Sequence, residues 1–580
     1  MKRFLLYLAV ALTFCLTENP VFSQIRDITL LNEYRFIPNK ILNSVDFYDL
    51  YKTPEIALGL TVFQNEFDRK KSSGYFGFNF NSDFSFKALS VDGSAIPEFV
   101  LECSLDNFEK FKAIIETLTM SGLTVGKVAD KPDLYAIKSN PAEPNEKFKD
   151  VFFPFLLINK KTFFYGDIMS FIASDKTPDI LKEKKTTVKE KTERAFELLN
   201  ELAKNPSDYA ALKYVDGKVN LNSADMLFYM FTNISVSYLN NLYSTFNLDF
   251  LKRFLENNSF EKQALVIRKQ PRKLEIESYI FNKKKVDPEA ERGNFLNLES
   301  PINELIEKNI FAYIAVSGDV SAIKKAVSER NIEPEILKEY ILKTIGGFEK
   351  NLIFYIGSIE NAPSLDLAGA FKNAGQYPAV LLFETSSPEK LIEAMDNIAG
   401  LYPDSIEVKN DGVARTVSIK TDSGTVDFYS DFIENGGTKY MILTASKKEL
   451  NRLKISTAGT ASGATPESAN FSEFKSFASL LNEKKIEHQD KANSFYYLDL
   501  KQAVKYARKE LSNMKIVSNN SVLDYLSDKY GNLRGFIKNE NDIVYQNILI
   551  ETVKNIDFVQ IFNILKKGQN QPQTNNKNIR

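Results

Sequence analysis

The sequence predicts an α+β fold made of two divergent tandem copies, each with antiparallel sheets covered by helices. Two observations support this class: strand–helix units recur in the same order along the chain, and closely spaced turn residues separate short alternating strands. At 580 residues the chain exceeds one ordinary domain. Helices on one face of antiparallel sheets favour ferredoxin-like subdomains, and we expect about four of them, two in each copy.

Residues 1–23 have the pattern of a secretory signal peptide. Lys2 and Arg3 precede an apolar stretch at 4–16, which is short for a membrane-spanning helix. Val21 and Ser23 supply the permitted residues at positions −3 and −1, so we expect cleavage after Ser23. The alternative is that the stretch is retained as a membrane anchor.

The mature chain is predicted to be exported without a transmembrane segment. No later window has an uninterrupted apolar run of about 20 residues. Cys15 follows Phe14, whereas a lipoprotein signal needs a small residue before its modified cysteine, so lipidation is not expected. We therefore expect a periplasmic, envelope-associated or secreted protein.

Four pairs of segments support the duplication. In the first pair, Val100-Leu101-Glu102 matches Leu382-Phe383-Glu384. The offset between the helices that follow is two residues smaller than the offset between these strands, which a strand–helix loop of different length would explain. The paired segments are 98–114 with 379–395, 171–183 with 443–454, 225–242 with 493–510, and 264–281 with 534–551. Because the matches keep their order, they predict two copies of one unit.

These matches and local composition predict the domain boundaries. The first copy is expected at 24–285 and the second at 305–555, with a linker at 286–304 between them. Small uncharged residues predict a flexible loop at 456–472, and a polar composition predicts a disordered tail at 568–580.

The stretch 405–445 has the clearest strand pattern. Gly412, Gly424 and Gly437 mark turns, and apolar residues alternate with polar ones between them. This spacing predicts a four-stranded antiparallel meander with one buried face. Helices are predicted from Ser387-Pro388, where a capping residue precedes proline, and before Gly346-Gly347.

The sequence offers few candidates for catalysis or metal binding. His488 is the single histidine and lies in a polar stretch, so a zinc cluster is excluded and a triad is not expected. Without Cys15, Cys103 has no partner for a disulfide, and its apolar strand predicts a buried core residue. We predict no catalytic, cofactor-binding or metal residues and no cofactor.

Asp319 and Asp499 are the carboxylates that we considered for acid–base roles. Each follows an apolar strand and opens a helix, and Asn233 lies near the matching position of the first copy. Because Asp, Asn and Ser all accept hydrogen bonds from the first helical turn, this exchange predicts helix capping rather than catalysis.

The charge balance argues against a partner that the chain would bind through an opposite net charge. Lys and Arg number 74 against 75 Asp and Glu, which gives a net charge of −1. Such a chain is not expected to bind nucleic acid.

The second copy also resembles a known group. Through "FAYIAVSGDVSAIKKAV", "YPAVLLFETSSPEKLIEAM", "KYMILTASKKEL" and "NSFYYLDLKQAV" it is similar to an uncharacterised domain-of-unknown-function family of exported bacterial proteins. The resemblance covers about 250 residues and implies repeated strand–helix units. It implies no activity and no functional residues.

Three functions follow from these observations as hypotheses. The first is an exported non-enzymatic binding or scaffold module whose partner is an envelope protein or a glycan. The second is an envelope hydrolase that uses carboxylates in a cleft between the copies. The third is an assembly subunit that pairs through exposed sheet edges.

Overall fold

A computed structural model gives the fold of the chain. It describes residues 27–44, 74–94, 97–118, 122–140, 151–166, 187–215, 217–220, 225–233, 260–282, 301–307, 309–318, 320–329, 335–359, 374–412, 414–421, 424–461, 492–513, 529–540 and 542–552, with single positions between them. The predicted signal peptide, the tail at 568–580, Asp319 and His488 lie outside the described residues.

The chain divides into two compact units. The N-terminal unit holds residues 1–270 and 276–284, and the C-terminal unit holds 285–556 as its main part. Both combine helices with antiparallel sheet, so the α+β class is confirmed.

The N-terminal unit contains eleven of the described strands, most of a twelfth (β12) and four helices. The strands are β1 Ile28–Phe36, β2 Gly74–Tyr75, β3 Phe78–Asn79, β4 Phe84–Val91, β5 Glu98–Ser104, β6 Leu123–Lys127, β7 Leu134–Ser139, β8 Phe152–Ile158, β9 Lys161–Gly166, β10 Met226–Asn233, β11 Phe260–Gln270 and β12 Lys273–Asn282. The helices are α1 Pro38–Ser44, α2 Phe108–Leu118, α3 Val188–Lys204 and α4 Ala211–Val215.

Antiparallel pairing places the main strands of this unit in the order β6, β7, β8, β9, β5, β4, β1, β10, β11. Helix α3 begins at a capping box, in which the Thr187 side chain accepts from the Glu190 amide and the Glu190 carboxylate accepts from the Thr187 amide. Its buried stripe includes Leu198, Leu199 and Leu202.

The C-terminal unit contains ten of the described strands and five helices. The strands are β13 Ile310–Ser317, β14 Asn351–Gly357, β15 Ala379–Glu384, β16 Ile406–Asp411, β17 Ala414–Thr421, β18 Gly424–Asn435, β19 Thr438–Thr444, β20 Ser494–Asp499, β21 Tyr530–Glu540 and β22 Ile543–Thr552. The helices are α5 Val320–Ser328, α6 Glu335–Ile345, α7 Pro388–Leu401, α8 Lys447–Ala461 and α9 Leu500–Asn513.

Antiparallel pairing places these strands in the order β16, β17, β18, β19, β15, β14, β13, β20, β21, β22. Strands β16 to β19 are the predicted four-stranded meander, which is therefore confirmed. Gly412 and Gly437 have positive φ angles of 64° and 79° at its turns, where glycine is favoured. The predicted helix starts at Pro388 and ends before Gly346 are also confirmed.

The predicted linker at 286–304 is wrong at its C-terminal end. Leu296, Leu298 and Ile302 are buried in the core of the C-terminal unit, and Pro301–Glu304 forms a short 3₁₀ helix. The amide of Leu296 donates to the carbonyl of Ala492, at 2.7 Å. This segment is part of the folded unit because its side chains fill the core between sheet and helix, rather than joining two finished domains.

Two other expectations also change. Helix α8 continues to Ala461, so the first six residues of the predicted flexible loop at 456–472 are helical. Ferredoxin-like subdomains are not confirmed, because β13 and β14, which α5 and α6 connect, are direct antiparallel neighbours, whereas a split βαβ unit places another strand between the two strands that a helix connects. Among the described residues, none of the helices has the length and apolar character needed to cross a membrane.

Candidate functional site: the two faces of each sheet

The helix-covered face of the N-terminal sheet carries charged side chains. Alternation along β1, β4 and β5 puts Glu33, Arg35, Lys87, Glu98 and Glu102 on one side of the sheet. We call these five residues the charged face. Helix α3 lies over part of it, because the Arg194 guanidinium donates to the Glu98 carboxylate at 2.9 Å.

Glu33 is the most enclosed carboxylate of the charged face, at 1 % exposure. It accepts hydrogen bonds from the Ser85 hydroxyl at 2.7 Å and from the Ala211 amide, at the start of α4, at 2.6 Å. Tyr229 lies across from Arg35 on β10. Burial raises the pKa of the Tyr229 hydroxyl, and the Glu33 charge raises it further.

Lys87, which is 3 % exposed, is neutralised by Glu102 at 3.1 Å. Lys161 reaches the second oxygen of the same carboxylate at 3.3 Å. Burial raises the pKa of Glu102, but the two lysines outweigh burial and hold that pKa below its usual value. The charges of this face are therefore paired internally, as buried charges require.

The corresponding face of the C-terminal sheet is mostly apolar. Tyr313, Tyr355, Leu382 and Phe495 lie in a core that α8 covers through Leu453. Its polar groups include the buried Arg534 on β21, which donates to Glu551 at 2.7 Å, and a short chain of hydrogen bonds. The Tyr313 hydroxyl donates to Asn303 at 2.9 Å, Asn303 donates to the Leu298 carbonyl at 2.9 Å, and the hydroxyls of Ser300 and Tyr440 bond at 2.8 Å.

The opposite face of the N-terminal sheet carries no charged residue in the central rows of five adjacent strands, and Glu261 and Lys269 lie on the same side at the two ends of β11. The pairing registers place its side chains in rows across β5, β4, β1, β10 and β11. We call this set the N-terminal uncharged face. Its residues are Phe99, Leu101, Phe84, Phe86, Ala88, Asn32, Tyr34, Phe36, Phe228, Met230, Thr232, Gln263, Leu265 and Ile267.

The C-terminal sheet has the same property on its own opposite face. The rows cross β15, β14, β13, β20 and β21. We call this set the C-terminal uncharged face. Its residues are Ala379, Leu381, Phe383, Leu352, Phe354, Ile356, Ala312, Ile314, Val316, Ser494, Tyr496, Leu498, Leu533, Gly535 and Ile537.

Parts of both uncharged faces reach the protein surface, and other parts are covered. Phe84 and Ala88 are buried, the Phe78 ring packs on Phe84 at 5.8 Å, and the Phe348 ring stacks on Phe383 at 4.6 Å. Ile314 is 44 % exposed and Val316 is 38 % exposed, and Phe354 and Tyr496 are partly exposed beside them. Tyr34, Phe86, Phe99 and Phe228 are partly exposed in the N-terminal unit. An antiparallel sheet with a solvated face ordinarily carries polar and charged residues there. The apolar side chains on the partly exposed side of these strands are therefore the feature that most needs a functional explanation.

The structure locates the described sequence candidates in structural roles. Cys103 is free and buried, and burial raises the pKa of its thiol. Asp499 accepts from the Gln502 amide at 2.9 Å, as predicted for a helix cap. Asn233 instead donates to the Leu30 carbonyl at 3.0 Å. No group of three or more metal-ligating side chains lies together within the part of the chain that the structure describes.

Sequence reasoning did not identify either uncharged face. The signal was present as apolar residues at consecutive positions of a strand, for example Tyr313, Ile314, Ala315 and Val316. The rows become visible once strand order and register are known, because each row combines residues from segments up to about 200 positions apart.

Comparisons with known proteins give no assignment. No family model matches the chain, and no curated protein matches it. One solved structure, described as "Structure of crystal form III of TP0453", shares 14 % identity and covers 46 % of this chain and 86 % of its own. Its TM-score of 0.22 is too low to support an argument about fold or function.

Proposed function

We propose that the protein is an exported, non-enzymatic binding or scaffold module built from two divergent copies of one unit. The observation that carries the proposal is the pair of uncharged faces, which lie on corresponding strands of the two sheets. Contiguous apolar surface on a globular protein is typical of an interaction site. Export rests on the signal-peptide pattern of residues 1–23.

Strand order supports the duplication. The order β6, β7, β8, β9, β5, β4, β1, β10, β11 corresponds strand by strand to β16, β17, β18, β19, β15, β14, β13, β20, β21. If Asn233 corresponds to Asp499 at the ends of β10 and β20, the pairings match Leu101 with Leu381. With Leu101 matched to Leu381, the strand and the helix that follows it have the same sequence offset between the two copies. No difference in loop length is then needed.

The hydrolase alternative has one described carboxylate with a raised pKa. Burial raises the pKa of Glu384 and the Glu349 charge adds to it, but Asn351 donates to this carboxylate. A glycosidase-type mechanism needs two carboxylates that can reach substrate. In the N-terminal unit, Glu33 is engaged by Ser85 and Ala211, Glu98 by Arg194, and Glu102 by two lysines. Asp499 is engaged as a helix cap. We therefore favour binding over catalysis.

Cell fractionation followed by affinity capture tests the proposal. The full chain is expected outside the cytoplasm and shortened by the signal peptide, whereas a chain without residues 1–23 is expected to stay in the cytoplasm. The exported form is then incubated with an envelope extract, and bound protein and glycan are identified by mass spectrometry. Recovery of both forms from the cytoplasm would contradict export.

A further inference from the structure

We propose that the two uncharged faces bind the acyl chains of a phospholipid, one lipid at each face. This inference deepens the proposed binding function and rests on it, because an exported chain meets envelope lipids. The N-terminal uncharged face has fourteen positions and the C-terminal one has fifteen, and none of them is charged. Two charged residues, Glu261 and Lys269, lie beyond the N-terminal face at the ends of β11. At the chain's content of 26 % charged residues, that many positions would carry seven or eight charges.

The chemistry of the faces favours hydrocarbon over a glycan. Sugar recognition needs hydrogen-bonding groups, and those of the N-terminal face are Asn32, Thr232 and Gln263 in one row and the hydroxyl of Tyr34 in the next row. On the C-terminal face, the Tyr496 hydroxyl is already engaged by the Asn547 carbonyl at 3.0 Å. The remaining positions, apart from Ser494, offer apolar surface or a glycine, which hydrocarbon contacts without losing hydrogen bonds.

The size of each face favours acyl chains over a second copy of the protein. Three residues on one side of a strand span about 14 Å, and five strands span about 19 Å. The flat area of the sheet that one face occupies is therefore about 270 Å². A stable protein interface buries roughly 800 Å² on each partner. The acyl chains of one bilayer leaflet extend about 15 Å, close to the length of the face.

The aromatic side chains of the N-terminal face form a continuous apolar floor. Tyr34 lies 6.3 Å from Phe86 and 6.3 Å from Phe228, measured between ring centroids. Phe86 is stacked with Phe99 at 5.6 Å. These rings come from four adjacent strands, so an acyl chain lying across the strands contacts each of them.

The test measures phospholipid bound to the chain lacking residues 1–23. The probe is a phosphatidylethanolamine with a fluorophore at the end of one acyl chain, supplied in vesicles of phosphatidylethanolamine and phosphatidylglycerol. We expect saturable binding of two lipids per chain, with competition by unlabelled phosphatidylethanolamine. Ile314→Glu and Tyr34→Glu should each reduce the bound lipid from two to one, and the double variant should lower binding more than tenfold.

The matched control is Ile336→Glu on α6, since Ile336 is 44 % exposed, like Ile314, but lies outside both faces. Circular dichroism checks the fold of each variant, and Val316→Glu replaces Ile314→Glu if the latter does not fold. Equal losses in Ile314→Glu and Ile336→Glu would overturn the proposal. It would also be overturned by absence of lipid binding, by binding of oleate without phospholipid, or by a dimer that Ile314→Glu dissociates.

This experiment uses purified protein, so it does not depend on export. Lipid binding by a chain that fractionates with the cytoplasm would refute the proposed location and leave the lipid site intact. A protein partner captured from the envelope without lipid binding would refute the lipid site and leave the binding function intact.

Discussion

The side chain of Tyr496 lies across Gly535 on the neighbouring strand. Its hydroxyl donates to the carbonyl of Asn547 on β22, one strand further, at 3.0 Å. A Cβ atom on Gly535 would overlap both the Tyr496 ring and the Asn547 carbonyl. An aromatic ring over a strand glycine protects the backbone that the glycine would otherwise leave bare.

We therefore expect Gly535→Ala to lower the free energy of unfolding by roughly 1–3 kcal/mol, because the ring must leave its position. Urea unfolding followed by circular dichroism measures the change. Gly531→Ala on the same strand is the control, since its Cβ would meet Glu551 at ordinary contact distances of 3.5 Å or more. Equal effects of the two substitutions would show that Tyr496 is not held in this position.

The Glu102 carboxylate should make stability depend on acid pH. Its folded-state pKa is held below the usual value by Lys87 and Lys161, against the opposing effect of burial. Its stabilisation is therefore complete above the unfolded pKa, about 4.3, and is lost as the pH falls through the lowered folded value.

Glu102→Gln should lower the free energy of unfolding by about 3 kcal/mol at pH 7, since Lys87 is then buried without its partner. The difference from the wild type should shrink below pH 4. Urea titrations at pH 7, 5 and 3.5 measure it, with the exposed Glu407→Gln as control. A difference that stays constant with pH would contradict the ion pairs as its source.

Ile302 tests whether the segment before β13 belongs to the folded C-terminal unit. Its side chain is fully buried in the core. Ile302→Ala should cost roughly 2–5 kcal/mol, because the substitution leaves a cavity. The control is Ile455→Ala on α8, a residue 64 % exposed, where we expect almost no change in the denaturation midpoint. If Ile302→Ala left the free energy of unfolding unchanged, the interpretation of this segment as a linker would be restored.

Substitutions at Asp499 test whether this side chain acts as a helix cap. Asp499→Ala should destabilise the protein by about 1 kcal/mol through loss of the hydrogen bond to the Gln502 amide. Asp499→Asn should retain most of the stability, because an amide oxygen also caps a helix. Thermal unfolding of the two variants provides the comparison, and equal losses would mean that the negative charge, not the cap, is what stabilises this position.

Local patterns predicted local structure well. The meander of β16 to β19 follows from glycines at its turns and alternation between them, and the start of α7 follows from Ser387-Pro388. These features depend on residues a few positions apart, where backbone preferences decide the outcome.

Features that depend on distant residues were not predictable in the same way. The amide of Leu296 bonds to Ala492, nearly 200 positions later in the chain. The local sequence around Leu296 does not show this contact and therefore resembles a linker. Helix α8 extends through residues of low helix propensity. The uncharged faces likewise need strand order and register before their rows of side chains can be recognised.

The charged face also has a consequence for heat capacity. Hydration of exposed apolar surface raises the heat capacity on unfolding, and hydration of polar surface lowers it. The N-terminal sheet buries the Lys87–Glu102 ion pair beside an apolar core that includes Tyr229 and Phe231. Hydration of these charged groups on unfolding therefore offsets part of the heat-capacity increase that exposure of the apolar core produces.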